Sequence, residues 1–206
     1  HFNFISFTDI ENDSLERIFS TITSTFISAN FQGEEYAALV KPIVQATIEV
    51  YDTIAQELLP TPAKSHYTFN LRDLAKVIQG MLMTEASKIK ETDALIRLWT
   101  HESARVFRDR LIDDQDKSWF DDAIKNCLQQ FFSVEIAVND FSTIMFGDFN
   151  NKQGDKSYIE MTDMERCNKV LTDAAEDYAL VNNKPMNLVF FRDAIAHVSR
   201  VSRVLR

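Results

Sequence analysis

Glycine and proline are scarce in this sequence, with only four of each in 206 residues. Because these two residues most often interrupt regular backbone, their scarcity leaves room for long helices or strands. Apolar residues recur at intervals of three and four, which is the spacing of one face of a helix. The sequence therefore predicts a mainly α-helical protein, and its 45% hydrophobic content suffices for one good core or two small ones.

Cysteine is also scarce, and long apolar runs and excess positive charge are missing. The two cysteines, Cys127 and Cys167, have neither CxxC spacing nor histidine partners, so no zinc site or disulfide framework is predicted. No run of about 18 apolar residues could span a membrane. The net charge of −9 argues against nucleic acid or an anionic membrane as a partner. These features are typical of a protein in the reducing cytoplasm.

Local signals predict the order of the elements. Residues 2–7 resemble a short β-strand, and a capping box at residues 13–16 opens the first helix. Its apolar stripe comprises Leu15, Ile18, Phe19, Ile22 and Phe26. Further helices are predicted over residues 34–59, 70–82, 92–112, 118–132, 162–180 and 187–206. Pro42 should start or kink the second helix, and Asn70 should cap the third. Residues 139–158 are predicted to be irregular and to contain a domain boundary.

No complete catalytic site can be identified in the sequence. His101 and Glu102 begin like the HExxH motif of zinc proteases, but Arg105 stands where the second histidine is needed. The spacing predicts instead an ion-pair network of Glu102, Arg105 and Asp109 along one helix face. A GxxxxGK(S/T) phosphate loop and a GxSxG nucleophile turn are both absent.

Arg72 is a candidate anion contact. It lies in the first turn of the helix that Asn70 caps, where the backbone N–H groups and the helix dipole favour negative charge. A guanidinium at that position could hold a phosphate together with the helix end. The alternative is an ordinary surface arginine.

The chain resembles dynein heavy chains along nearly its whole length. The resemblance is carried by residues 58–67 (LLPTPAKSHY), 69–74 (FNLRDL), 98–102 (LWTHE), 145–149 (MFGDF), 187–194 (NLVFFRDA) and 198–206 (VSRVSRVLR). It implies that residues 1–30 end the large subdomain of the third AAA+ module. Residues 31–138 would then form its helical lid, and residues 139–206 a linker and the first helices of the fourth module.

The resemblance also implies roles for individual residues. Arg72 matches the lid arginine called sensor II, which contacts the phosphates of nucleotide in the third module. Leu188, Val189 and Phe190 match the segment that lines the adenine side of the fourth module's pocket, with ordinary core packing as the alternative. Glu102 and Arg105 would stiffen the lid. Both phosphate loops, the arginine finger, the stalk and the microtubule-binding tip would lie outside this sequence.

The partners and cofactors implied are those of the whole motor. The intact ring would bind ATP or ADP with Mg²⁺, and the segment alone would retain none. Neighbouring AAA+ modules would contact it directly, whereas microtubules and the intermediate and light chains would contact distant regions of the complex. The resemblance is to axonemal, inner-arm dyneins, which implies a cytoskeletal location in the axoneme of a cilium or flagellum.

Two alternatives come from other functional classes. A free-standing helical adaptor could bind a partner through an apolar groove, and a small helical enzyme would need a catalytic set that the sequence does not display. The sequence after Arg206 distinguishes them from a ring segment. We expect a short apolar strand followed by a GxxxxGK(S/T) loop if the segment belongs to a ring, and a stop codon if it is an adaptor.

Overall fold

The computed structural model describes residues 2–6, 8, 10–133, 143–150 and 156–205. These residues are mostly α-helical, which confirms the predicted fold class. The helices are α1 (Asn12–Asn30), α2 (Glu34–Glu57), α3 (Leu71–Met81), α4 (Thr92–Val106), α5 (Asp114–Cys127), α6 (Met164–Asn182) and α7 (Arg192–Leu205). Strands β1 (Phe146–Gly147) and β2 (Ile159–Glu160) form an antiparallel pair in which Phe146 is opposite Glu160.

The chain divides into two compact units. The first comprises the described residues within 1–82 and 110–136, and the second those within 83–109 and 137–206. Helices α1, α2, α3 and α5 therefore belong to the first unit, and α4, α6, α7 and the strand pair to the second. The division at residues 30 and 138 that the resemblance implies stays a prediction.

Helix α2 is the central element of the first unit, where it packs against α1, α3 and α5. It continues through Pro42, which neither begins nor ends it. Pro42 lacks the N–H that would bond within the helix, so the burial of both flanking turns has to offset that loss. The buried apolar side chains of these helices include Ile43, Val44, Ile54, Leu74, Val77, Phe120 and Ile124.

The apolar stripe predicted for α1 is only partly correct. Leu15 is buried, but Ile18 and Ile22 are 46% and 44% exposed. The buried face instead continues through Thr23 and Ile27, which follow Leu15 at intervals of eight and four. Helix α1 has α2 as its main neighbour, so the contact with one helix decides which of the two apolar faces is covered.

The predicted strand at residues 2–7 does not form in residues 2–6, which have no regular structure. Phe2, Phe4 and Ile5 are 88%, 95% and 77% exposed. A strand needs a neighbour to accept and donate its backbone hydrogen bonds. None of the described residues pairs with this segment, and Phe7 lies outside them.

The boundaries of α4 and α5 differ from their predictions. Helix α4 ends at Val106 instead of Ile112, because Phe107 is fully buried and the chain then makes a 3-10 turn over Arg108–Arg110. Helix α5 begins at Asp114, earlier than predicted. Acidic side chains are favourable at the positive end of a helix, so the acidic run that predicted a break provides its first turn. The last residues of the helix predicted over 118–132 form a π-helix, Leu128–Phe132.

The second unit has its apolar core between the strand pair, α6 and α7. Met145, Met161, Cys167 and Ile195 form a buried cluster, and Met161 N donates to Met145 O at 2.7 Å beside the strands. Residues 143–150 and 156–158 of the stretch predicted to be irregular thus include one of the two strands, whereas residues 139–142 and 151–155 lie outside the described residues.

Helix α7 begins five residues later than predicted, at Arg192. The preceding residues, 183–191, have no helical or strand structure. Asn183 adopts a left-handed conformation with φ of 52° at the end of α6, which stops that helix. The β-branched and aromatic residues at 189–191 have lower helix propensity than the periodicity alone suggests.

The start of α3 is stabilised by a buried carboxylate. The predicted cap is confirmed, because Asn70 Oδ1 accepts from Arg72 N at 2.9 Å and Asp73 Oδ2 accepts from Asn70 N at 3.2 Å. Asp73 also accepts hydrogen bonds from Arg110 Nη1 at 2.8 Å and Lys76 Nζ at 3.1 Å. Burial by itself would raise the pKa of Asp73, but these hydrogen bonds outweigh it and lower the pKa.

Asp73→Asn should lower the free energy of unfolding at neutral pH by about 2 kcal/mol, because Arg110 and Lys76 lose a charged acceptor. The folded-state pKa of Asp73 lies below its unfolded-state value. The wild-type advantage is therefore complete above the unfolded-state pKa and disappears as the pH falls through the folded-state pKa. Urea unfolding of both proteins across the acidic range measures this difference.

Asp114→Asn is the control, because Asp114 is fully exposed and lies 3.7 Å from Lys117. It should show only a small pH-dependent difference from wild type, because the ion pair and the helix-end interaction of an exposed carboxylate are both weak. If the difference in free energy of unfolding between wild type and Asp73→Asn stayed constant down to strongly acidic pH, the lowered pKa assigned to Asp73 would be wrong.

Candidate functional site

Arg72 presents its side chain to solvent from the first turn of α3. Its backbone N–H is used by the Asn70 cap, but its guanidinium has no hydrogen-bond or ion-pair partner among the described residues. Asp73, which follows it, points into the protein and is buried. An unpaired guanidinium beside the positive end of an 11-residue helix can receive an anion.

Ion pairs and hydrogen bonds hold the loop that leads into α3 in place. Lys64 Nζ lies 2.5 Å from Asp113 and 2.6 Å from Asp116, and Tyr67 donates to Asp116 at 2.8 Å. The hydrogen bond from Lys64 lowers the pKa of Asp116. Arg110 donates to the carbonyl of Thr68 at 2.9 Å and stacks 4.7 Å from the Phe69 ring. These contacts place Arg72 at a defined position without using its guanidinium.

The segment Leu188, Val189 and Phe190 has no helical or strand structure and is mostly exposed. Leu188 is 53% and Val189 81% exposed among the described residues. Phe190 packs against the cluster of Met145, Met161, Cys167 and Ile195. Its carbonyl accepts a hydrogen bond from Asn168 Nδ2, which ties the segment to α6.

A groove of about 480 Å³ lies beside Phe190. Its lining combines an aromatic ring with amide, hydroxyl and charged groups. The residues are Met164, Glu165, Asn168, Lys169, Thr172, Asp173, Phe190, Arg192 and Ile195. A mixed lining of this kind suits a flat, polar-edged molecule.

Glu102 is a fully buried carboxylate on α4, and it has two donors. Arg105 Nε and Nη2 both lie 2.8 Å from Oε2, and Tyr158 donates its hydroxyl proton to Oε1 at 2.7 Å. Burial, followed by the nearby Glu102 charge, raises the pKa of Tyr158, so the phenol stays protonated. The i,i+3 pair predicted for Glu102 and Arg105 is thus present and buried.

Asp109 does not pair with Arg105 as predicted. Its Oδ2 lies 2.5 Å from Arg200 Nε on α7. The i,i+4 spacing would bring Arg105 and Asp109 together only if the helix continued, but α4 ends at Val106. The 3-10 turn carries Asp109 away from the helix face.

His101, adjacent to Glu102, is buried between α4, α7 and the residues before β1. Its Nδ1 lies 3.1 Å from the Ile144 carbonyl, which can only accept, so Nδ1 carries the proton. Nε2 then accepts from Arg200 Nη1 at 3.1 Å. Burial, and then the Arg200 charge, lower the pKa of His101 well below its ordinary value, so the ring is neutral.

Sequence reasoning identified His101, Glu102 and Arg105 but missed their partners. Tyr158 is 56 positions from Glu102, and Arg200 is 99 positions from His101. Polar residues in the middle of an otherwise apolar helix indicated that partners were needed. No spacing rule could indicate which distant residues supply them.

Other chemistry is limited in the part of the chain that the structure describes. No group of three or more histidine, cysteine, aspartate or glutamate residues there could hold a metal ion. None of the described helices is long and apolar enough to cross a membrane. Burial raises the pKa of the Cys127 thiol to about 12, and it also raises the pKa of Cys167, so both stay protonated.

Glu102→Gln should lower the free energy of unfolding by about 3 kcal/mol, because Arg105 would keep its charge in a mostly buried site without a counter-charge. The matched control is Asp122→Asn, which breaks an acid–base pair of the same i,i+3 spacing at the surface. That change should have little effect, since exposed ion pairs contribute little. Equal losses in the two variants, measured by urea unfolding, would show that the buried pair has no special weight.

This chain is similar to known proteins along its whole length. The family of the AAA+ lid domain matches residues 43–141, a range that includes α3, α4 and α5. Dynein axonemal heavy chain 1 of Homo sapiens is 44% identical over 217 aligned residues, which cover 100% of this chain and 5% of that protein.

Two further relatives align over the same full extent of this chain. Dynein axonemal heavy chain 6 of Homo sapiens is 41% identical and dynein axonemal heavy chain 12 of Mus musculus 37%, and the matches cover 5% and 7% of those proteins. The chain thus spans a small part of its curated relatives. An unrelated free-standing adaptor is not favoured, because similarity continues across the whole sequence. The chain belongs to the dynein heavy chain family, as a segment that contains an AAA+ lid domain.

Proposed function

We propose that this segment transmits nucleotide state between neighbouring AAA+ modules of a dynein motor ring. The observation that supports it is the position of α7. Helix α4 lies inside the range matched by the AAA+ lid family and α7 lies beyond it, yet both belong to the second compact unit. Arg200 of α7 bonds Asp109 and His101, so the start of the following region is bonded to the lid.

Arg72 is proposed to contact the phosphates of nucleotide bound in the third module. Its guanidinium is exposed and unpaired among the described residues, and it lies at a capped helix end. A phosphate would receive charge-assisted hydrogen bonds from it. Such a contact exists only while nucleotide is bound, so it gives the lid different contacts in the two states, which coupling requires.

Leu188, Val189 and Phe190 are proposed to form the adenine side of the fourth module's pocket. The exposed apolar side chains of Leu188 and Val189 would cover a flat base, and Phe190 anchors the segment to the core of the second unit. The groove beside Phe190 offers amide and hydroxyl groups for the polar edge of the base. ATP or ADP with Mg²⁺ is proposed to bind in the intact ring.

The whole heavy chain is proposed to be an ATP-driven, microtubule-based motor of the axoneme. Its relatives are named as axonemal dynein heavy chains. We propose an inner-arm type in a cilium or flagellum, with intermediate and light chains as partners in the complex. The segment described here would contribute coupling between modules and not the hydrolytic site.

Arg72→Ala should weaken ATP binding to the third module about tenfold or more, because a charge-assisted hydrogen bond to phosphate is lost. The measurement is a titration of the full motor with a fluorescent ATP analogue, in a background where the other nucleotide sites are disabled. Arg72→Lys should show a smaller loss, since an ammonium retains the charge but not the bidentate geometry.

Arg17→Ala is the matched control, because Arg17 is also an exposed helical arginine of the first unit. Its ATP affinity should equal that of wild type. Circular dichroism of the isolated segment should be the same for all three variants. Unchanged ATP affinity in Arg72→Ala, or loss of helical signal in that variant, would refute the assigned role.

A further inference from the structure

The two halves of α7 are held in different ways. In the first half, Ile195 is 2% exposed and belongs to the apolar cluster with Met145, Met161 and Cys167. In the second half, the position one turn later on the same face is Ser199, which is also buried but polar. The inward face of the helix therefore changes from apolar to polar along its length.

Polar contacts hold residues 199–205 to the rest of the second unit. Ser199 donates to the Phe146 carbonyl at 2.8 Å, and Ser202 donates to Asp148 at 2.6 Å. Arg200 bonds Asp109 at 2.5 Å and His101 Nε2 at 3.1 Å. The Arg203 guanidinium lies 5.9 Å from the centre of the Tyr158 ring. We name this set of contacts the polar clasp.

The apolar side chains on the outward face of the same half are largely exposed. Val201, Val204 and Leu205 are 58%, 78% and 82% exposed. Within the described part of the second unit, the contacts that hold this half are therefore mainly those of the polar clasp. Water can replace each of its hydrogen bonds, whereas it cannot replace the contacts of Ile195.

We propose that residues 199–205 of α7 form a releasable arm, which Arg200 holds to the region of α4, while residues 192–198 stay packed through Ile195. The arm separates as a unit when Arg200 leaves Asp109 and His101, while the first half of α7 stays packed. The side chains of Arg200 and Asp109 are 26% and 37% exposed, so water reaches the contact that has to break first.

His101 gives Arg200 a second hydrogen-bond acceptor beside Asp109. Its Nδ1–H donates a hydrogen bond to the Ile144 carbonyl, and the Tyr158 hydroxyl donates to Glu102, so Nε2 is left to accept from the Arg200 guanidinium. An arginine can donate to Asp109 and to this nitrogen at the same time, because its N–H groups are spread over a planar fork. A lysine could satisfy only one of them from the same position.

The arm is a property of the second unit alone, and it does not depend on whether Arg72 contacts a phosphate. Amide hydrogen exchange of the full-length heavy chain, analysed by mass spectrometry, tests it peptide by peptide. Arg200→Ala should raise exchange about tenfold or more in residues 199–205, since it removes charge-assisted hydrogen bonds. Exchange in residues 192–198 and in α4 should not change.

Further variants separate the contacts of the clasp. Asp109→Asn and His101→Phe should each raise exchange in residues 199–205, by less than Arg200→Ala, because each leaves Arg200 one partner. Arg200→Lys should also give an intermediate increase. Arg192→Ala is the matched control, because it removes an exposed arginine from the first turn of the same helix. It should leave exchange in residues 199–205 unchanged.

Two results would overturn the proposal. If Arg200→Ala or the milder Arg200→Lys raised exchange equally in residues 192–198 and 199–205, α7 would be attached as one rigid piece. If residues 199–205 of the wild type exchanged as fast as unstructured peptide, there would be no clasp to release. A local increase confined to residues 199–205 in the variants supports the arm.

Discussion

A buried carboxylate must receive hydrogen bonds that replace those of water, and in this segment that requirement organises the second unit. Glu102 on α4 is fully buried, and Arg105 and Tyr158 are its donors. Leaving either oxygen without a donor would cost more than a typical single hydrogen bond contributes. Helix α4 is therefore the meeting point of three other parts of the second unit. Tyr158, before β2, donates to Glu102, and the carbonyl of Ile144, before β1, contacts His101. His101 also contacts Arg200 of α7.

The same requirement operates at α3 in the first unit, with a different consequence. Asp73 is buried and draws in Arg110, Lys76 and the Asn70 backbone. Because these groups satisfy Asp73, the neighbouring Arg72 is left exposed and free of partners among the described residues. The buried acid thus fixes the helix end, and the adjacent arginine stays available for a ligand. The Arg72 guanidinium is therefore able to donate charge-assisted hydrogen bonds to a phosphate.

Polar attachment of α7 suits a segment that has to change its contacts. Apolar packing such as that of Ile195 is nondirectional and holds an element in place, whereas hydrogen bonds and partly exposed ion pairs can exchange with water. A helix joined to the lid by both kinds of contact can stay attached at one end and move at the other. That combination is what coupling between adjacent modules needs if both modules have two arrangements.

Patterns within the sequence predict the helical class, the cap of α3, the Glu102 and Arg105 pair and the resemblance to dynein heavy chains. Each of these depends on residues close together in the chain or on matching stretches of sequence. The fold is needed to show that Asp109 pairs with Arg200, that Tyr158 donates to Glu102, that Ile18 and Ile22 stay exposed, and that α7 begins at Arg192. Those outcomes depend on which distant side chain satisfies a buried polar group and which helix face finds a neighbour, and neither is encoded in local periodicity.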